Sequence, residues 1–253
     1  MAQALEIRPS DISLNGKLSV AIKNPLRVGS RMACACTNYS SGLIELNRTD
    51  GAGCFAHEWA HGLDSQLSFY LGFTKEKLTS KAINDEKCCP SDEKMFPEAM
   101  SELVRVMKSC PARTETNTEL IRNKMVHLNK AKTLKPKESN SIVSDSDFYI
   151  EAKTLDRLRL IIKIDSKSKE VSNSEMNIYY ASIEEMFARS FESYIESKLS
   201  TMGIQSQYVS LIYPAKELYP YGDEKAKIDA AFNELFKELK DIGFLHEWKE
   251  PLR

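Results

Sequence analysis

The sequence predicts an α+β protein, mostly helical, with a small mixed sheet next to one long helix. Three observations predict it. Apolar residues recur at helical spacing over 53–70, 182–199 and 224–239. Residues 42–47, Gly-Leu-Ile-Glu-Leu-Asn, alternate like a half-buried strand. Residues 12–22 centre on Asn15-Gly16, a strong short-range hairpin signal.

Taken in order, 12–22 reads as a hairpin and 42–47 as a further strand. The stretch from Asn47 to Gly53 is polar and glycine-bearing, a turn into a helix with Asp50 as its N-cap. Gly51 and Gly53 permit a tight strand-to-helix connection. Over 53–70 the apolar stripe is Ala56, Trp59, Ala60, Leu63, Leu67 and Tyr70. Residues 72–135 hold short helical patterns broken at Cys89-Pro90, Phe96-Pro97 and Cys110-Pro111. Residues 133–149 read as a loop, and 148–172 as a helix or strand with a charged tail. Strong helices follow over 182–199 and 224–239. No internal repeat is present.

The chain has 253 residues, 42% hydrophobic and 28% charged, ordinary for a globular protein. A net charge of −1 gives no global pull toward nucleic acid or an anionic membrane. Residues 121–170 carry 12 Lys/Arg against 7 Asp/Glu, a small unclustered excess that reads as a solvated face. The N-terminus lacks a basic start and an apolar run, so no signal peptide is expected. No apolar stretch nears the ~20 residues needed to span a bilayer. Cys34, Cys36, Cys54, Cys88, Cys89 and Cys110 are spaced poorly for disulfides, and there is no paired Cys-x-x-Cys for a cysteine zinc site. Reduced thiols and a cytoplasmic location are the expectation.

Residues 57–61 read His57-Glu58-Trp59-Ala60-His61. Two histidines four apart on a helix share a face, so both imidazoles can reach one metal ion. The glutamate after the first histidine is placed to take a proton from water held there. Only four histidines occur in the chain. A chance match therefore has odds of about one in a hundred. One zinc ion is the expected cofactor, with Glu58 as catalytic base.

A catalytic zinc takes three protein ligands. His127 lies in a helical stretch and reads as a surface or packed residue. His246 opens a second His-Glu-Trp but is followed four later by Glu250, so its metal pair is incomplete. A glutamate of the 182–199 helix is the better candidate. There Ile183, Met186, Phe187, Phe191 and Tyr194 form the buried stripe, and Glu185, Ala188, Arg189 and Glu192 share the opposite face. Glu185 could reach the metal with Arg189 or Glu192 as neighbours, and Glu184 is the second choice. A solvated Glu/Arg face fits the periodicity equally well. Asp64, one turn after His61, reads either as the orienter of a ligand imidazole or as a plain polar residue.

The stretch from Arg31 through Gly42-Leu-Ile-Glu-Leu-Asn and His57-Glu58-Trp59-Ala-His61-Gly-Leu-Asp64 resembles the large polyvalent-protein-associated metallopeptidase-like domain of phages and conjugative elements. The resemblance continues in Glu185-Met-Phe-Ala-Arg-Ser-Phe-Glu-Ser-Tyr-Ile and in Leu218-Tyr-Pro220-Tyr-Gly-Asp-Glu. The pattern is also similar to zincins whose third ligand is a glutamate, including the catalytic domain of anthrax lethal factor. It covers about 25–75 and 175–245. It implies a single zincin-like domain over 1–253, with a helical insertion at about 76–174 that serves substrate selection or regulation. It implies zinc on His57, His61 and Glu185, with Arg189 and Asp64 as supports. It also implies a tyrosine near 179–180 that stabilises the oxyanion, Tyr180 favoured over Tyr179. Residues 42–47 would be the edge strand that a peptide substrate joins.

The resulting expectation is a zinc peptidase acting on a protein or peptide, either a host protein or the polyprotein that carries it. The alternatives are a catalytically idle zinc-binding module and a nucleic-acid accessory protein. Nothing in the chain asks for a membrane partner.

Overall fold

The computed structural model describes residues 1–29, 31–73, 78–85, 98–109, 148–149, 152, 156, 179–210 and 219–248. The fold is α+β, with six helices, a short 3-10 segment and a three-stranded mixed sheet among these residues. The helices are α1 (Ala2–Leu5), α2 (Phe55–Leu71), α3 (Thr79–Asn84), α4 (Glu98–Ser109), α5 (Ile183–Thr201) and α6 (Gly222–Asp241). The strands are β1 (Ser19–Lys23), β2 (Arg27–Val28), β3 (Arg31–Met32), β4 (Ala35–Asn38) and β5 (Leu43–Asn47). The expected breaks at Cys89-Pro90, Phe96-Pro97 and Cys110-Pro111, and His127, lie outside the described residues.

Residues 12–22 do not form a hairpin. Leu14, Asn15 and Gly16 do turn through the left-handed region, as Asn-Gly favours. The chain before them is the 3-10 segment Pro9–Ser13, however. A tertiary contact decides this, because the indole Nε1 of Trp59 donates to the Ile12 carbonyl at 2.7 Å. β1 instead pairs in parallel with β5, Val20 opposite Ile44.

The sheet order is β1-β5-β4, with β4 antiparallel to β5. β5 is therefore the central strand, and residues 42–47 cannot be the edge that a peptide joins. Both of its backbone sides are occupied, and the outer strands are β1 and β4.

The turn into α2 is shaped by close approach. A Cβ on Gly51 would lie 2.5 Å from the Asn47 carbonyl oxygen and 2.9 Å from that of Cys34. Gly53 has φ of 87°, where glycine is unstrained. The N-cap is Cys54, not Asp50, and it makes no side-chain cap. The carbonyl of Val209 takes the Ala56 amide at 2.9 Å and satisfies the helix start.

α2 and α5 pack face to face. Trp59 stacks on Phe191 with ring centroids 5.3 Å apart, and Phe191 stacks in turn on Phe236 of α6 at 5.9 Å. The expected stripe of α2 is buried apart from Tyr70, which is half-buried and donates to the Ile242 carbonyl at 3.1 Å. α6 also caps α4, since Glu238 accepts the Glu98 and Ala99 amides at 3.0 and 2.8 Å. This layering holds the polar edges of α2 and α5 opposite each other, beneath β4.

Candidate metal centre

Glu185 lies in the first turn of α5, opposite the second turn of α2. His57 Nε2 stands 3.5 Å from Glu185 Oε2, and His61 Nε2 stands 3.6 Å from Glu185 Oε1. Two donors on a tetrahedral zinc stand roughly 3.4 Å apart, given bonds of about 2.0–2.2 Å. Among the described residues these three form the only cluster of metal-ligating side chains with mutually close donor atoms. Two imidazoles and one carboxylate suit zinc.

Glu184, the second choice for the third ligand, is not part of the cluster. Burial lowers the His57 pKa, but hydrogen bonds to Glu185 and Glu192 outweigh it and push it up to about 9. Burial opposes ionisation of Glu185, yet His57 and His61 hold its carboxyl well below the usual range. A cation of higher charge would replace the His57 proton.

Two of the three candidate ligands have a support. Glu192, two turns after Glu185 on α5 and buried, places Oε2 3.7 Å from His57 Nδ1. The Tyr219 hydroxyl donates to the same Oε2 at 2.9 Å. Arg189, also buried, brings Nη1 to 4.0 Å from Glu185 Oε2 and donates through Nη2 to the Tyr180 carbonyl. Asp64 does not orient His61. Its carboxylate accepts the Ser80 amide at 2.8 Å and the Ser80 hydroxyl at 2.5 Å. The His61 Nδ1 atom has no hydrogen-bond partner among the described residues. Asp64 instead fastens α2 to α3.

Glu58 is buried, and Thr37 of β4 places Oγ1 2.7 Å from its Oε2 and 2.9 Å from its carbonyl oxygen. A groove of about 860 Å³ runs past His57 and Glu58, walled by Cys34, Cys54, Tyr179 and Tyr219 among others. Of the two candidate tyrosines, Tyr179 borders the groove. Tyr179 is 42% exposed as a residue, yet partial desolvation of its hydroxyl and then Glu185 raise its pKa. The Tyr180 ring lies over the Arg189 guanidinium at 5.7 Å and does not line the groove. Tyr39, just beyond β4, sets its ring edge toward His61 at 6.1 Å.

Cys34, Cys36 and Cys54 are free thiols. Burial, helped by Cys34, pushes the Cys54 pKa up to about 12, and burial with Glu45 raises Cys36 to about 11. Both are protonated at neutral pH in the absence of a metal. His246 is remote from the centre and bonds Asp11.

Thr37, Tyr39 and Tyr219 were not expected from the sequence. Glu192 was legible through its spacing from Glu185. Tyr219 lies in the Leu218-Tyr-Pro220 stretch that carries the resemblance, and Thr37 has no local signal.

The fold and the site define an α+β protein whose His-Glu-x-x-His helix faces a glutamate on a second helix. Residues 171–243 match the family model of large polyvalent protein-associated domain 1. The match includes Glu185, Arg189, Glu192 and Tyr219 but stops short of α2. No curated protein and no solved structure matches the chain. No helix among the described residues is long and apolar enough to cross a membrane.

Proposed function

We propose that the protein is a zinc-dependent peptidase that hydrolyses peptide bonds in a protein or peptide substrate, with Glu58 as proton carrier. The spacing of His57, His61 and Glu185 donor atoms, 3.5 and 3.6 Å, carries the reading. His57, His61 and Glu185 would hold the ion. When bound, zinc would supply a Lewis acid that acidifies water and polarises a scissile carbonyl.

Thr37 holds Oε2 of Glu58, which leaves Oε1 to accept a proton from water and pass it to the leaving amine. A structural zinc site has no use for a carboxylate in that place, which favours catalysis over an idle binding module. Tyr179 borders the same groove, and its raised pKa keeps the hydroxyl protonated, as a donor to a developing oxyanion must be.

The test is zinc content and proteolysis of an unfolded protein by the wild type, Glu58→Gln and Glu185→Ala. The wild type should hold one zinc and cleave. Glu58→Gln should keep zinc and lose about 10²–10⁴ in rate, and Glu185→Ala should lose zinc affinity. A wild type without stoichiometric zinc overturns the proposal. Zinc without hydrolysis leaves the idle binding module.

A further inference from the structure

Asp156 is buried, at 4% exposure, yet it is not one of the residues lining the groove. A buried carboxylate persists only where its charge is met. Here three successive backbone amides meet it. Those of Tyr179 and Tyr180 donate to Oδ1 at 3.0 and 2.9 Å, and that of Ala181 donates to Oδ2 at 2.8 Å. Consecutive amides aimed at one anion form a nest that fixes local backbone conformation.

The turn so held carries two groups of the site. Tyr179 projects into the groove with His57 and Glu58. The Tyr180 carbonyl anchors Arg189, which lies beside Glu185. The turn then closes through the Ser182 amide on the Tyr179 carbonyl at 3.2 Å and runs directly into α5. Ser182 supplies no side-chain cap, and Asp156 adds an anionic group from outside the helix at the end where Glu184 and Glu185 already stand in the first turn.

We propose that Asp156 is a positioning residue of the centre: its carboxylate clamps the 179–181 turn and so fixes the Tyr179 hydroxyl in the groove. Asp156 lies in the stretch 76–174, which the sequence reads as an insertion serving selection or regulation. The contact makes that stretch a contributor to the site itself. The role of Tyr179 in this inference rests on the peptidase reading, whereas the clamp does not.

The experiment pairs two measurements on the full chain. Amide hydrogen exchange of the metal-free protein comes first. Asp156→Asn turns one acceptor oxygen into a donor and removes the charge, and should speed exchange at 179–181 about tenfold or more, the loss of one charge-assisted hydrogen bond. Amides of α6 should not change. Peptide hydrolysis by the zinc-loaded enzyme comes second. Asp156→Asn should lower kcat with little change in KM, and should lower it no further in a Tyr179→Phe background. If Asp156→Asn loses protection throughout the chain, Asp156→Glu replaces it in both measurements, since it keeps the charge and shifts it by one methylene.

Unchanged exchange at 179–181 overturns the clamp. Equal losses of kcat in the two backgrounds overturn its link to Tyr179. A wild type that hydrolyses nothing overturns the peptidase reading, and the exchange result still decides the clamp.

Discussion

Thr37 and Glu58, 21 residues apart in the chain, meet through one hydroxyl proton that faces both the Glu58 carboxylate at 2.7 Å and its carbonyl oxygen at 2.9 Å. The edge strand β4 thereby fixes the rotamer of the proposed base on α2. Thr37→Val keeps the shape and removes the hydroxyl. It should lower kcat about tenfold, leave zinc content unchanged, and cost about 1 kcal/mol of stability, the usual worth of one hydrogen bond. Thr37→Ser should recover most of the rate. Steady-state kinetics decide it, and a Thr37→Val enzyme as active as the wild type removes Thr37 from the site.

Glu192 and Tyr219 act on His57 from behind. Carboxylates at the far nitrogen of a ligand imidazole fix its orientation and raise its basicity, and their loss typically weakens metal binding 10–100-fold. Glu192→Gln should fall in that range, and Tyr219→Phe should lose less, because the hydroxyl reaches His57 only through Glu192. Competition against a chromogenic chelator measures both. Unaltered zinc affinity in Glu192→Gln would show that the 3.7 Å approach carries no orientation.

Local pattern went far here. The helices over 55–71, 183–201 and 222–241 follow from 3.6-residue periodicity and the candidate pair His57 and His61 from its spacing, whereas periodicity leaves Glu185 open between a ligand and a solvated face and only the resemblance singles it out. What periodicity cannot encode is pairing across long sequence distance. Nothing near residues 12–22 reveals that Trp59 will take the Ile12 carbonyl and convert a strand pattern into a 3-10 turn. Nothing in 42–47 reveals that β1 will cover one side of β5 and β4 the other. Thr37 and Asp156 belong to the same class, since each meets its partner only after the fold brings distant segments together.

Trp59 is fully buried, stacks on Phe191 and donates to Ile12, so it joins the helix of His57 and His61 to both the α5 core and the N-terminal segment. Trp59→Ala should cost about 3–5 kcal/mol, a fall in Tm of very roughly 10 °C for a domain of this size. Trp59→Phe keeps a ring against Phe191 but orphans the Ile12 carbonyl and should cost about 1–3 kcal/mol. Thermal unfolding of the metal-free proteins separates the two. A Trp59→Ala protein within 2 °C of the wild type would mean that the stack contributes little.

Asp64 gives a pH dependence with a defined sign. Burial raises its pKa from 3.8 to about 6, against the opposing hydrogen bonds from Ser80. A carboxyl whose folded pKa exceeds its unfolded one takes up a proton on folding. Its contribution to stability is therefore complete below about pH 3.8 and is lost as pH rises through 6, by about 3 kcal/mol in all. Asp64→Asn is neutral at every pH and can keep the Ser80 amide as donor to its carbonyl. The stability of the wild type relative to Asp64→Asn should thus fall between pH 4 and 6 and level off above 7. Paired denaturant titrations of the metal-free proteins across that range measure it. A difference that stays constant from pH 4 to 7 would show that Asp64 ionises in the fold as easily as in water.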